Sequence, residues 1–269
     1  MVTFPPCKIN LGLHVLSKRA DGYHNLETCF YPVPWTDILE IIPATQTTFA
    51  QTGIPIPGAI DSNLCLRAYH LLEKAYDLPP VSIHLHKVIP LGAGLGGGSA
   101  NAAFTLRLLN DLFALSLNSA QLQQFASQLG SDCAFFIFDK PMLGSGRGEI
   151  LEPVALSLTE TFLVLVKPDI HISTAEAYAG VTPSSKQQAL TEILSRPMDT
   201  WRQCLINDFE ASVFKKNPQL EEIKNQLYQQ GAWYAAMSGS GATVFGLFNQ
   251  PVDISIEFPD CTYWGGVLT

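Results

Sequence analysis

Lys87-Val-Ile-Pro-Leu-Gly-Ala-Gly-Leu-Gly-Gly-Gly-Ser-Ala-Asn-Ala-Ala103 is the stretch on which the fold turns. Glycine holds five of the seven positions from 92 to 98, directly after Pro90-Leu91. Upstream, Val81, Ile83 and Leu85 alternate with Ser82, His84 and His86, the period-two pattern of a half-buried strand. Downstream, Ala102, Leu106, Leu109 and Phe113 recur at helical spacing. The unit is therefore strand, glycine loop, helix. Glycine lets backbone approach a ligand and adopt positive φ. The first-turn N–H groups of the helix, backed by its dipole, attract an anion. A phosphate-binding loop is expected.

The loop is not a P-loop, because Gly98-Ser99 lacks the lysine that would precede the serine. A literal G-x-G-x-x-G exists at Gly92, Gly94 and Gly97. The acidic ribose partner of a dinucleotide fold should then follow roughly 20 residues on. The nearest, Asp111, lies inside the helical stripe, which argues against a dinucleotide-dependent oxidoreductase.

Composition narrows the classes further. The 269 residues suffice for one large or two modest cores, and 47% hydrophobic against 15% charged residues excludes a disordered chain. No apolar run reaches the roughly 18 residues of a membrane span, and the N-terminus lacks a signal pattern. A net charge of −8 without a basic stripe argues against nucleic acid. Cysteines at 7, 29, 65, 133, 204 and 261 show no metal spacing and read as scattered thiols of a cytoplasmic protein.

Along the chain, residues 8–16 alternate, with Ile9, Leu11, Leu13 and Val15 on one face and Lys8, Asn10, Gly12 and His14 on the other. The polar face reads either as solvated or as functional. Asp21-Gly22 marks a turn, followed by Tyr23 and His24, which could stack on a flat ring and read its edge. Ile38–Ile42 is strand-like. Asp61 or Ser62 is the expected cap of a helix with Leu64, Ala68, Leu71, Leu72 and Ala75 inward and Asn63 in its first turn. Asn118 and Gln121 form a capping box for a helix that Gly130 stops. Asp132 follows, between that helix end and the apolar run Cys133–Phe138; it reads as a turn residue or as a partly buried base. Gly144–Gly148 is a hairpin bend, and Phe162–Lys167 a strand. Ser173 or Thr174 caps a short helix reaching Tyr178. Residues 183–200 read as a connecting excursion, and Asn207–Glu210 as a helix start. Asn217, Pro218 and Gly231 bracket a further helix. Two apolar runs then flank Ser238-Gly-Ser-Gly241, a strand pair with a ligand-facing bend.

Lys8–Val15, Pro90–Asn101 and Met237–Phe245 together resemble the three motifs of the GHMP kinases, in order and over nearly the whole chain. Asp21-Gly-Tyr-His-Asn-Leu, Gly130-Ser-Asp-Cys-Ala-Phe-Phe and Asn207-Asp-Phe-Glu place the resemblance in the branch that phosphorylates a cytidine-diphosphate-linked polyol of non-mevalonate isoprenoid biosynthesis. The resemblance implies a two-lobed α/β (α+β) GHMP kinase fold, with an N-terminal ATP-binding lobe over 1–150 like domain 2 of ribosomal protein S5. A C-terminal lobe over 151–269 and an active-site cleft between the lobes complete it.

The resemblance also assigns residues. Asp132 accepts the hydroxyl proton, while Lys8 keeps that carboxylate ionised and stabilises the transferring phosphoryl group. Pro90, Leu91, Gly92, Ala93, Gly94, Leu95, Gly96, Gly97, Gly98, Ser99 and Ala100 cradle the triphosphate of ATP, and Asn63 and Lys87 belong to the adenine pocket. Tyr23, His24 and Tyr178 sandwich or read the cytosine, with Asn10 and Thr174 as polar support. Gly239, Ser240 and Gly241 close over the acceptor's phosphate side. Ala100 stands where related enzymes often carry a second serine. Magnesium is expected with ATP, with no protein carboxylate ligand assigned and the metal held mainly by phosphates and water. Small-molecule acceptor and ATP are the implied partners, with no nucleic acid and no membrane. The rival readings are a GHMP kinase for mevalonate or homoserine and a nucleotide-binding module without catalysis.

Overall fold

A computed structural model describes residues 1–184 and 188–269. The chain is mixed α/β and packs as two units that interleave in sequence. One comprises Met1–Cys7, Trp35–Leu91 and Gly96–Lys140, the other Lys8–Pro34, Gly92–Leu95 and Pro141–Thr269. This division differs from a single cut after residue 150. Its cause is the long strand His24–Thr36, which pairs Thr28 with Gly144 and so carries residues 8–34 in with the C-terminal part.

The first unit is built on a four-stranded sheet in the order Val2–Thr3, Ile38–Pro43, Val81–Lys87, Thr48–Gly53. Only the last pair is parallel. In Val81–Lys87 the expected alternation holds, and parity places Lys87 on the buried side with Val81, Ile83 and Leu85. Helix Gly97–Leu112 has most of its length buried, from Gly97 to Leu109, as a helix wrapped by neighbours must. It packs on helices Leu64–Tyr76 and Ser119–Leu129.

Helix Leu64–Tyr76 buries Cys65, Leu66, Ala68, Tyr69 and Leu72, a stripe turned from the expected one, which leaves Leu64 and Leu71 half-buried and Ala75 exposed. Tyr69 draws that face inward, because its hydroxyl meets Thr47 Oγ1 at 3.1 Å and Pro79 O at 3.3 Å. The helix is capped by Asn63 rather than by Asp61 or Ser62, which form a separate 3-10 turn. The capping box of Asn118 and Gln121 is present.

The second unit holds an antiparallel sheet in the order Tyr234–Met237, Val244–Phe248, Phe162–Pro168, Cys261–Val267. Helices Glu210–Lys216 and Pro218–Gln229 belong with it, and Val164, Phe209, Leu220, Leu227 and Val244 sit in one core. Another sheet joins residues 8–34 to the hairpin Met142–Ser145 and Ile150–Pro153, whose bend is the glycine turn expected at 144–148. The excursion over 183–200 contains helix Leu190–Leu194 and a 3-10 turn at Met198–Thr200; residues 185–187 lie outside the described part. No helix among the described residues is long and apolar enough to cross a membrane.

Candidate active site

The glycine stretch contributes to both units. Its middle, Gly92–Leu95, belongs to the second, and there every carbonyl from 93 to 95 has a donor. Lys8 N donates to Leu95 O at 2.9 Å, and Thr243 N to Ala93 O at 3.3 Å. Gly94 O receives both Lys8 Nζ at 2.8 Å and Ser238 Oγ at 2.9 Å. With the carbonyls turned into protein, the loop's N–H groups are left for something else. Among the described residues, no backbone N–H from Gly94 to Ser99 donates to a protein acceptor. Gly94 needs its freedom, since its φ is +75° and a Cβ there would run into Ser238 O. Gly239, at φ +55°, is the reciprocal case, with a Cβ 3.1 Å from Gly94 O. The two glycine stretches thus interlock backbone to backbone.

In the first unit the stretch continues through Gly96, a left-handed residue that precedes helix Gly97–Leu112 without a side-chain cap. Uncapped first-turn N–H groups on a helix this long suit an oxyanion. Beside them lies a cavity of about 370 Å³, inside the usual range of about 300–1,000 Å³ for small-molecule sites. Phe49, Ile56, Ile60 and Leu91 supply apolar wall, while Asn63, Lys87 and Asn101 supply polar groups, and Gly98 borders it. Asn63, Lys87, Leu91 and Gly98, which sequence reasoning assigned to nucleotide, are therefore brought onto one cavity.

Lys87 is completely buried, and its ammonium bonds Asp37 Oδ2 at 2.5 Å. Asp37 also accepts from Val88 N at 2.7 Å, Ile89 N at 2.9 Å and Asn101 Nδ2 at 2.8 Å. Burial lowers the Lys87 pKa, and the Asp37 charge pulls it back up. Sequence reasoning missed Asp37, since a lone aspartate between two strands reads as a turn residue.

Asp132 stands half-buried in the 3-10 turn Ser131–Ala134, just after Gly130. Its turn packs on helix Gly97–Leu112, whose first turn carries Ser99, and burial pushes the thiol of its neighbour Cys133 up to about 11. The segment carrying Asp132 is thus tied to the helix that presents the open N–H groups.

Lys8 belongs to the second unit, on strand Pro6–Lys18. The polar face of that strand is not solvated: Lys8, Asn10 and His14 are each 2–3% exposed. Asn10 Oδ1 accepts Lys8 Nζ at 2.7 Å, and Asn10 Nδ2 donates to Thr28 Oγ1 at 2.9 Å. Both ends of the amide are thus engaged, and Asn10 acts here as the holder of Lys8. Asn207, read from sequence only as a helix start, donates to Met237 O at 2.7 Å and Gly239 O at 2.8 Å. Glu210 accepts from Met237 N at 2.7 Å. This motif fixes the second glycine stretch, with Gly239 and Gly241 buried and Ser240 half-buried.

Tyr23 and His24 part company. Tyr23 is exposed under the Arg147 guanidinium, 4.9 Å from its ring centroid, while His24 opens a strand. His24 stacks directly on Tyr178, centroids 4.7 Å apart and planes 15° apart. That spacing leaves no room for a third ring, so a base enters between them only if they separate. Ser173 caps the helix Thr174–Ala179, and Thr174 is its first residue. Among the described residues no group of three or more His, Cys, Asp or Glu side chains could hold a metal ion.

Residues 63–140 match the family model described as GHMP kinases N terminal domain, and residues 188–256 the one described as GHMP kinases C terminal. A 4-diphosphocytidyl-2-C-methyl-D-erythritol kinase of Cytophaga hutchinsonii is 55% identical over 250 residues, 93% of each chain. Its namesake from Parabacteroides distasonis is 51% identical over 271 residues, with all of both chains covered. The crystal structure of a 4-(cytidine 5'-diphospho)-2C-methyl-D-erythritol kinase superposes with a TM-score of 0.83 at 32% identity, covering 99% of this chain and 98% of the other.

Proposed function

The chain belongs to the GHMP kinases, and from that premise we propose that it phosphorylates 4-diphosphocytidyl-2-C-methyl-D-erythritol on a hydroxyl with ATP, giving the 2-phosphate in non-mevalonate isoprenoid precursor biosynthesis. The observation that carries the acceptor is the 51% identity with the Parabacteroides distasonis enzyme over the whole of both chains. The cytoplasm is the proposed compartment.

Phosphoryl transfer needs alignment, neutralisation of charge and an orienter for the attacking hydroxyl. Asp132 takes the hydroxyl proton. Lys8, held by Asn10 and Gly94 O, stabilises charge on the transferring group. The adenine lies in the cavity that Asn63 and Lys87 line, and the phosphates meet the glycine loop from Gly92 to Ser99, with the open N–H groups of Gly94 to Ser99. Ala100 has no hydroxyl to offer, and Ser99 keeps one in the same first turn. Tyr23, His24 and Tyr178 read the cytosine, with Thr174 beside them and Gly239–Gly241 near the acceptor's phosphates. Magnesium bound with the nucleotide would be held mainly by phosphate oxygens and water and would neutralise phosphate charge.

The test is a coupled ADP-release assay over a panel of alcohols. Turnover is expected with the cytidylated diphosphate and not with mevalonate or homoserine. The reverse pattern would overturn the acceptor assignment, and no turnover with any alcohol would leave only a nucleotide-binding module.

A further inference from the structure

We propose that Asp37 is a positioning residue for the nucleotide: its carboxylate sets the Lys87 ammonium and both ends of the glycine stretch in the geometry that receives ATP. The inference rests on the kinase reading above and adds to it a residue that touches no substrate.

The carboxylate is completely buried, and both oxygens accept two donors. Three of those donors belong to consecutive residues, Lys87, Val88 and Ile89, at the exit of strand Val81–Lys87 and before the glycines. The fourth is Asn101, in the helix just after them. One side chain therefore closes the base of the loop from both sides. An aspartate needed only to end a strand would not require a donor from the far side of the loop.

Two of the four donors, Lys87 and Asn101, also line the cavity, beside Gly98. The ammonium supports the helix start directly as well. A Cβ at Gly97 would lie 2.9 Å from Lys87 Nζ and 3.0 Å from Ile89 Cγ2, although the backbone of Gly97 is helical and asks for no glycine. The first turn thus rests on Lys87, whose charge Asp37 sustains against the cost of burial. Without that charge the cavity wall and the helix start lose their common anchor, while the residues that read the cytosine lie in the other unit.

The experiment compares Asp37→Asn with wild type. The expected result is a KM for ATP raised about tenfold or more, a KM for the cytidylated acceptor within about twofold, and a kcat at saturating ATP within about fivefold. Lys87→Met should raise the ATP KM similarly, and the double variant no further than the larger single, because the two groups act as one. A purely structural aspartate would instead lower Tm and raise both KM values together, and that outcome overturns the proposal, as does an ATP KM within twofold of wild type. If Asp37→Asn does not fold, Asn101→Ala carries the test, since it removes one donor from the same carboxylate; the same ATP-selective rise is expected, and equal KM changes refute. Thermal stabilisation of wild type by ATP separates the two levels. If ATP does not stabilise the wild type, the kinase reading fails; if it does and the variants behave as wild type, only the role of Asp37 fails.

Discussion

Lys8→Met separates what Lys8 does for the fold from what it does for the reaction. Methionine keeps an unbranched chain of similar length and removes the charge. The ammonium donates to Asn10 Oδ1 at 2.7 Å and Gly94 O at 2.8 Å, and lies 5.6 Å from the Phe30 ring centroid. Gly94 O keeps a second donor, Ser238 Oγ at 2.9 Å, so it is not orphaned by the substitution. Asn10 Oδ1 loses its donor, at a cost of about 1–3 kcal/mol for a buried acceptor. Against this, a buried ammonium carries a desolvation penalty of several kcal/mol that methionine removes. From these two hydrogen bonds alone, the net change in stability is at most about 3 kcal/mol. For a protein of this size that is a Tm drop of no more than roughly 10 °C.

Turnover should respond quite differently. A preorganised donor aimed at developing charge is worth about 10²–10³ in rate, or about 2.7–4 kcal/mol. Purified Lys8→Met should then show a native circular-dichroism spectrum, cooperative melting and a kcat down by about 10² or more. A folded variant that keeps kcat within tenfold of wild type would refute the role of Lys8. A variant that fails to fold would refute the energetic argument instead.

Asp132→Asn should cut kcat by about 10² or more with little change in Tm, measured by ADP release and thermal melting; near wild-type turnover in the folded variant sinks the base assignment. Gly94→Ala places a Cβ against Ser238 O and 3.1 Å from Gly241 O at a φ of +75°, whereas Gly22→Ala meets nothing within 4 Å at φ +86°. Both incur the left-handed cost of about 1–2 kcal/mol, but only Gly94→Ala adds backbone overlap, so urea unfolding should show a clearly larger loss there, and equal losses would contradict the interlocked loops. His14 is 2% exposed, lies 3.9 Å from Glu27 Oε2, and has its pKa lowered below 6.5, first by burial and against the charges of Asp208 and Glu27. The unfolded chain therefore binds the proton more readily, so the stability from neutral His14 is complete above pH 6.5 and is lost as pH falls below it. Tm should drop between pH 7 and pH 5.5, and His14→Gln should flatten that slope; an unchanged slope would assign it elsewhere.

What the sequence makes legible is what local pattern encodes. Strand Val81–Lys87, the helix after it, the capping box at Asn118 and the Trp233–Phe248 strand pair all follow from period and punctuation. Three features resist such reading, each for a nonlocal reason. The strand Pro6–Lys18 alternates apolar and polar like a surface strand, yet both faces are buried, because Asn10 and Thr28 satisfy one another across it. The mutual stacking of His24 and Tyr178 joins residues 154 positions apart in the chain. Asp37 has its partners 50 to 64 positions away.

The absent P-loop lysine shows how local and nonlocal signals combine. Sequence reading finds a phosphate loop without its cation and looks for the charge elsewhere. In the structure each half of the loop has a lysine fixed against it. Lys8 Nζ holds the carbonyl of Gly94 in one unit, and Lys87 Nζ lies under Gly97 in the other. The run of glycines then has two physical causes rather than one. Gly94 is glycine for its dihedral angle and its contact with the second glycine stretch, while Gly97 is glycine because a lysine occupies the place of its side chain. A pattern match treats these positions alike, whereas substitution would not. Alanine at 94 strains the loop itself, and alanine at 97 displaces the ammonium that Asp37 holds.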